Sequence, residues 1–453
     1  MRILLVRPPR IKQAITLSDF MFSEPLGLEM IYGALKEEHE VEIFDMMIEA
    51  ESLSEKINEF RPQMVGITSL CIDVVKVLEL CKETKEINSC IITAVGGTQA
   101  YLNPEGFYDY NVDYIFEYTT KDNLNSFFAS INKEDIIPPK DGIRSRSWSY
   151  KSTGQKGRNE YMLPDRKSTE KYRQEYSYFG YKPAAIMEFG TGCEKVCDFC
   201  LRWRIEGAKE KLIDIDLTKN DLRNIKEPTI MFIDNDFLCS EEKLINFINI
   251  VRELNLKKNY IMYGSTKGVI LYEKYLKLLS DIGLKALLVG YETFSNDELS
   301  KYHKSSSTDD NIKAAEILRK YKIDVWASFM AHPDWDKKDF DSLRKYIQKL
   351  KPQITTISPL TPFPNLPMFK VFEDRLLYGR EDYERWSFGQ VMIKPSKISL
   401  KDYYYELLKT NLYVNIFFNK NTEMIKKYGI KNIYRILKGS LRAVKKYTTL
   451  MNE

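Results

Sequence analysis

The feature that most constrains this chain is a rhythm, in which short apolar runs alternate with helical segments in two separate series. The first series runs through RILLVRPP, VEIFDM, MVGITSL, CIITAVGG and VDYIFEY. Between these lie the helical patterns PLGLEMIYGALKEEH, SLSEKINEFRP, a stretch from about Asp73 to Ile87, and KDNLNSFFASI. Strands separated by whole helices pair in parallel, so residues 1–131 predict a Rossmann-like, doubly wound α/β domain. The second series begins at PAAIMEFGTGC and continues through TIMFIDNDF, YIMYGST, ALLVGYETF, DVWASFMAHP and ITTISPLTPFP. Six strands of one direction predict a partial (β/α)6 barrel over residues 183–370. Residues 132–182 lose the periodicity and read as a linker or wrap, whose aromatic content argues against a purely flexible spacer. Residues 371–453 read as a mainly helical region.

A chain of 453 residues exceeds what one hydrophobic core serves, which agrees with several domains. Lys and Arg number 68 against 64 Asp and Glu, a balance that gives no basis for wholesale nucleic-acid binding. There is no apolar run of roughly 18 residues, and MRILLVRPPRIKQ lacks a signal-peptide cleavage pattern, so a cytoplasmic protein is expected. Seven cysteines without a secretion signal point to thiols for metal or redox work and not to a disulfide framework. Cys71, Cys81, Cys90 and Cys239 read as small buried hydrophobes. Only three histidines are present, which argues against a histidine-rich metal site.

The remaining cysteines stand together in EFGTGCEKVCDFC, directly after the first strand of the second series. Cys193, Cys197 and Cys200 place three thiolates on one short loop. Three thiolates can hold three irons of a 4Fe-4S cluster and leave the fourth iron open, and Gly190 and Gly192 would let backbone approach it. A zinc site is the other use of such a group, but it would want a fourth Cys or His nearby. The carboxyl end of a barrel strand is also where such folds place their active sites.

This spacing, three residues and then two, resembles the radical S-adenosylmethionine (SAM) superfamily, with Phe199 in the aromatic position before the last Cys. The resemblance implies that the open iron takes the amino and carboxylate groups of SAM. An electron then breaks a carbon–sulfur bond to give a 5′-deoxyadenosyl radical that abstracts hydrogen from substrate. It also implies a one-electron reductant such as flavodoxin or ferredoxin. Asp234, Asn235 and Asp236 stand where the superfamily contacts the methionine ammonium. Ser265 and Lys267 stand near its carboxylate, and Glu292 matches a cofactor-contacting Glu. Lys267 replaces the usual Arg, keeping the charge and losing the bidentate fork.

A doubly wound domain ahead of the barrel resembles the cobalamin-binding branch of that superfamily. EPLGLEMIYGALKEEHEVEIFDM resembles its opening helix and following strand, and GITSL and VGGTQA resemble its third and fourth strand ends. The resemblance places Ser69, Leu70, Gly96, Gly97 and Thr98 against cobalamin. Two departures stand out. The Asp-x-His-x-x-Gly motif that supplies an axial histidine is absent, since His39 lies before the second strand. TTKDN also replaces the branch's Gly-Glu-Gly-Glu run after VDYIFEY. The resemblance implies methyl transfer to an unactivated carbon. The alternative is a non-methylating radical reaction (rearrangement, oxidation, cyclisation or carbon–carbon coupling) in a chain whose cobalamin is either used differently or absent from its domain.

The substrate, a small molecule, lipid or peptide, is expected between the two strand-end faces. That space would be bordered by the segment after TPFPN and by WSFGQVMIKPSKISLKDYYYELLK, where Tyr403, Tyr404 and Tyr405 either line a pocket or pack as an aromatic helix face. From Lys420 to Glu453 nine basic residues stand against two acidic ones, with Ile430, Ile433, Leu437, Leu441 and Val444 at helical spacing. Such a helix either meets a membrane surface or covers a core with a charged face.

Overall fold

The computed structural model describes residues 1–9, 21–131, 141–145, 156–417 and 430–452. The first series forms a six-stranded sheet from β1 (Arg2–Arg7), β2 (Glu40–Asp45), β3 (Met64–Thr68), β4 (Ile92–Gly96), β5 (Tyr114–Phe116) and β6 (Ile143–Ser145). Their order is β2-β1-β3-β4-β5-β6. The first five pair in parallel and β6 is antiparallel to β5. Side chains alternate across the sheet, as pleating requires. Ile3 and Leu5 enter one core, while Leu4 and Val6 enter the other. The order reverses between β1 and β3, and such sheets bind ligands at that switch point, off the carboxyl ends of the strands.

Strand β6 lies inside the segment read from sequence as a linker, and its three residues are too short to carry a periodic signal. Residues 132–140 and 146–155 of that segment lie outside the described residues. Its later part is packed tightly, with Tyr172 and Tyr176 buried against the first domain. The Tyr176 hydroxyl donates to Asp45 at 3.0 Å.

The second series forms a parallel six-stranded sheet in sequential order. Its strands are β7 (Ala184–Met187), β8 (Thr229–Phe232), β9 (Asn259–Gly264), β10 (Leu284–Glu292), β11 (Asp324–Ala331) and β12 (Ile354–Pro359). This is the expected partial barrel. Its interior face, including Ile186, Met231, Ile261, Ala286 and Trp326, joins the core of the first domain through Tyr178 and Phe179. The Phe179 ring lies 4.7 Å from Trp326, and Tyr178 stacks over Trp326 at 6.5 Å. The wrap thus closes one end of the barrel and leaves the carboxyl strand ends as its mouth.

A buried ion cluster joins the two domains. Arg166 of the wrap bonds Glu24 at 2.6 Å and Glu29 at 3.2 Å, both from the first domain. It also grips Asp221 of the barrel helix Ile215–Asn224 with two bonds of 2.7 Å. Arg173 completes the cluster against Glu24, Glu29 and Glu227.

In the C-terminal region, helix Leu400–Leu412 buries Tyr403 and Tyr404 and leaves Tyr405 exposed. Tyr403 donates to the Ala331 carbonyl at 2.8 Å, and the Tyr404 hydroxyl accepts from Gln390 and Val391. Two of the three tyrosines are therefore packed and line no pocket. The basic helix Ile430–Leu450 docks through Tyr447, whose ring lies 5.6 Å from Tyr404. Leu441 is exposed and Val444 half-buried, while Lys420, Lys426 and Lys427 lie outside the described residues. No helix among the described residues is long and apolar enough to cross a membrane.

Candidate active site

The cysteine loop starts where β7 ends. Ala185, Met187 and Phe189 face the core between sheet and helices, and Ala184 and Ile186 face the barrel interior. The same alternation aims Glu188 into the mouth. Gly190–Thr191 pairs with Lys211–Leu212, and Gly192 then turns at φ +86°. A Cβ on Gly192 would fall 2.0 Å from the Lys209 carbonyl oxygen, so only glycine lets the loop leave the strand here.

The loop is tied down along its length. Cys193 N–H donates to Gly207 at 3.0 Å, and the Trp203 indole donates to the Cys197 carbonyl at 3.0 Å. Phe199 packs edge-on against Tyr302 with centroids 5.8 Å apart. All three cysteines are free, with Cys197 buried and the other two half-buried. Burial pushes their thiols up, Cys197 to about 11. Opposing it are the Lys195 N–H at Cys193, Lys304 at Cys197, and the Arg202 and Trp203 N–H groups with Lys304 at Cys200. Donors and cations aimed at sulfur favour thiolate over thiol, which is what a metal ligand requires.

The neighbouring strand ends carry the other residues singled out by sequence. Asp234 accepts from the Phe189 N–H at 3.0 Å and pairs with the buried Lys243 at 2.8 Å. Asn235 accepts from Arg202 at 2.6 Å and donates to Glu206 at 2.7 Å. Asp236 pairs with Lys195 and accepts from the Ser265 N–H at 3.0 Å. Burial would raise Asp236, but Lys195 outweighs it and holds the carboxyl below its usual range. Ser265 accepts from Lys195 at 2.5 Å and caps the helix Thr266–Leu271. Glu292 ends β10 at φ +64° and accepts from Lys304 at 2.6 Å. Lys267 is exposed to solvent, and no hydrogen bond or ion pair among the described residues joins it to the loop.

Four charged groups here escaped sequence reading. Glu188 was detectable, since it continues the inward period of Ala184 and Ile186; burial, with Glu206 and Asp234 nearby, pushes it up to about 8. Lys195 lies within the cysteine loop itself. Arg202 and Lys304 reach the site only through the packing of later segments.

The carboxyl edge of the first sheet lies against this site. Helix Thr98–Leu102 packs on helix Arg202–Glu206, which directly follows Cys200. Gly97, at φ +95°, lets the fourth-strand loop meet the third, because a Cβ there would lie 2.7 Å from the Ser69 nitrogen and oxygen. Ser69 is buried and donates to the Gly96 carbonyl at 2.7 Å, while Leu70 is 54% exposed on the edge and Thr98 is half-buried. The segment after β12 covers a third side. Phe363, Leu376 and Tyr378 pack around Cys71 and Trp386, and Asn365 donates to the Leu102 carbonyl at 2.7 Å.

Residues 14–124 match the B12 binding domain family, and residues 187–347 match the radical SAM superfamily. The chain thus carries a B12 binding domain followed by a radical SAM domain, the domain order of the cobalamin-binding branch of that superfamily. Hopanoid C-3 methylase from Methylococcus capsulatus is 27% identical over 399 residues, covering 86% of this chain and 76% of that protein. The radical SAM methyltransferase TsrM from Kitasatospora setae, with cobalamin and a [4Fe-4S] cluster bound, superposes with a TM-score of 0.69 at 14% identity, covering 90% of each chain. The cobalamin-dependent radical SAM enzyme OxsB, with aqua-cobalamin and SAM bound, gives 0.71 at 14% identity, covering 97% of this chain and 71% of that one. These last two likenesses are of fold.

The cofactors of this radical SAM enzyme are accordingly a 4Fe-4S cluster, SAM and cobalamin. The residues present fit a cluster, with three free thiols on one glycine-shaped loop and N–H donors at Cys193 and Cys200. Among the described residues no three His, Cys, Asp or Glu side chains converge on a single-ion position. A four-iron cluster does not require that, because each thiolate takes its own iron. The first domain fits cobalamin through its switch-point edge and its exposed Leu70. His39 lies at the opposite edge, 3.3 Å from the Met1 amino group and against the Phe128 ring.

Proposed function

We propose that this radical SAM enzyme transfers a methyl group to a carbon atom of its substrate. The observation that carries the reading is the packing of Thr98–Leu102 on Arg202–Glu206, which brings the cobalamin edge and the cysteine loop into one cleft. The name of the hopanoid relative supports it. When bound, these groups supply a one-electron cleavage of SAM that generates a hydrogen-abstracting radical, and a carrier for the methyl group.

The chain's own residues hold and order the reactants. Cys193, Cys197 and Cys200 are the cluster ligands. Glu292, Asn235 and Ser265 lie at strand ends around the position SAM would take, and Phe199 anchors the loop on Tyr302. Asp234 and Asp236, each buried against a lysine, fix the shape of the mouth and present its backbone. Lys267, being exposed, has no part in this reading. Ser69, Leu70, Gly96, Gly97 and Thr98 form the cobalamin edge. The apolar segment around Phe363, Trp386 and Met392 excludes water from the cleft. An external one-electron donor of the flavodoxin or ferredoxin class completes the system, and the substrate is a small molecule, lipid or peptide.

The test needs no substrate. The chain is purified anaerobically, its cluster is reconstituted, and its absorbance is recorded with and without added cobalamin. Under reduction with SAM, a methyl-carrying enzyme forms S-adenosylhomocysteine in proportion to bound cobalamin, together with 5′-deoxyadenosine. Formation of 5′-deoxyadenosine without S-adenosylhomocysteine overturns methyl transfer and favours the non-methylating alternative.

A further inference from the structure

A cation that the proposed reaction does not use lies beneath the cysteine loop. After helix Asn296–Lys301 the chain turns back, with Tyr302 against Phe199 and His303 bonded to Asp198 at 2.9 Å. Lys304 follows. Its Nζ donates to Glu292 Oε1 at 2.6 Å and lies 5.7 Å from the centroid of the Phe199 ring, between Cys197 and Cys200 in the loop. The side chains of Lys304 and Glu292 are only 14% and 7% exposed.

The backbone is shaped around this pair. Strand β10 shifts register between Gly290 and Glu292, and Glu292 adopts φ +64°, a conformation side chains rarely take. A Cβ on Gly290 would fall 2.2 Å from Glu292 Oε1 and 3.1 Å from Lys304 Nζ. A side chain at position 290 would therefore displace the Glu292 carboxylate and the Lys304 ammonium from where they meet. The charges of Lys304 and Glu292 act in opposite directions on both Cys197 and Cys200.

We infer that the Lys304–Glu292 pair sets the reduction potential of the cluster held by the loop. Adding an electron to a cluster deepens its negative charge, so a fixed ammonium favours the reduced form and a fixed carboxylate opposes it. In a poorly solvated site these effects are screened weakly. Lys304 acts here as a positioning charge that touches neither SAM nor substrate. Lys195 and Arg202, the other nearby cations, already bond Asp236 and Glu206 respectively. The inference rests on assigning the cluster to Cys193, Cys197 and Cys200.

The experiment is a redox titration of the full reconstituted chain in the absence of SAM, following the electron paramagnetic resonance signal of the reduced cluster. Lys304→Met is expected to shift the midpoint to more negative potential, and Glu292→Gln to more positive potential. Lys304→Arg should stay near wild type, and the double variant Lys304→Met with Glu292→Gln should return toward it. Shifts of the same sign in the two single variants, or an unmoved Glu292→Gln, overturn the inference. If Lys304→Met fails to assemble a cluster, the Glu292→Gln shift decides. Iron and sulfide content separates the two levels of the argument. A wild-type chain that holds no four-iron cluster overturns the site assignment, whereas an intact cluster with unmoved potentials overturns only the role of the pair.

Discussion

Replacing Arg166 with Met tests the physical reasoning most severely, because this side chain joins carboxylates of both domains and grips Asp221 with two bonds. It bonds Glu24, Glu29 and Asp221, all of them buried, and donates to the Ile186 carbonyl at 3.1 Å on the first barrel strand. Methionine fills much of the volume but leaves these carboxylates with Arg173 as the remaining arginine of the cluster. Removing one partner of a buried ion pair costs about 3–5 kcal/mol, mostly as the penalty of an uncompensated charge. The sign of the pH dependence follows from Glu29, which burial pushes up and Arg166 pulls down. Without Arg166 its folded-state pKa climbs further. A carboxyl with a raised folded pKa contributes stability at low pH and loses it as pH rises; wild-type Glu29, raised to about 7, stops losing it near that pH while the variant goes on, so the deficit of the variant should widen as pH rises above about 7. The assay is urea unfolding of the cluster-free chain at several pH values, read by tryptophan fluorescence, with the buried Trp326 reporting the barrel. Lys82→Met is the control, since Lys82 and Glu86 are both largely exposed at 3.8 Å and such pairs contribute about 0–1 kcal/mol. A deficit for Arg166→Met no larger than that of the control, or one that shrinks with rising pH, would refute the reasoning.

Three further outcomes are expected. Cys193→Ala, Cys197→Ala and Cys200→Ala should each abolish formation of 5′-deoxyadenosine, and retained cluster-dependent cleavage in any of them would remove that residue from the ligand set. His39→Ala should leave the absorbance of bound cobalamin unchanged, because His39 sits at the far edge of the sheet from Leu70; a large spectral change would contradict this. Glu188, raised from 4.5 to about 8, stabilises the fold in its protonated form at low pH and loses that contribution as pH rises to about 8. Glu188→Gln should therefore flatten the fall in melting temperature of the cluster-free chain across that window, and an identical fall in both proteins would show that Glu188 is well solvated.

The sequence by itself determined the two strand series, the partial barrel and the cysteine loop. Each is written in local pattern: Leu4 and Val6 alternate with Ile3 and Leu5 because a strand has period two, and Gly192 is required by the turn it makes. Local pattern also carried the match of Gly97 to a strand end where loops meet. Tertiary structure alone decided which charges face one another. Lys267 is a reasonable candidate by position, yet it lies exposed at the start of its helix, and the cations at the loop are Lys195, Arg202 and Lys304. Arg166 meets Glu24 across 142 residues, and β6 finds β5 from within a segment without periodicity. The physical reason is that periodicity records which side of an element is buried, while the partner of a buried charge is fixed by how distant elements pack. Three residues of strand or one lysine after a helix leave no repeat to detect, so their places emerge only when the two strand-end edges are brought together.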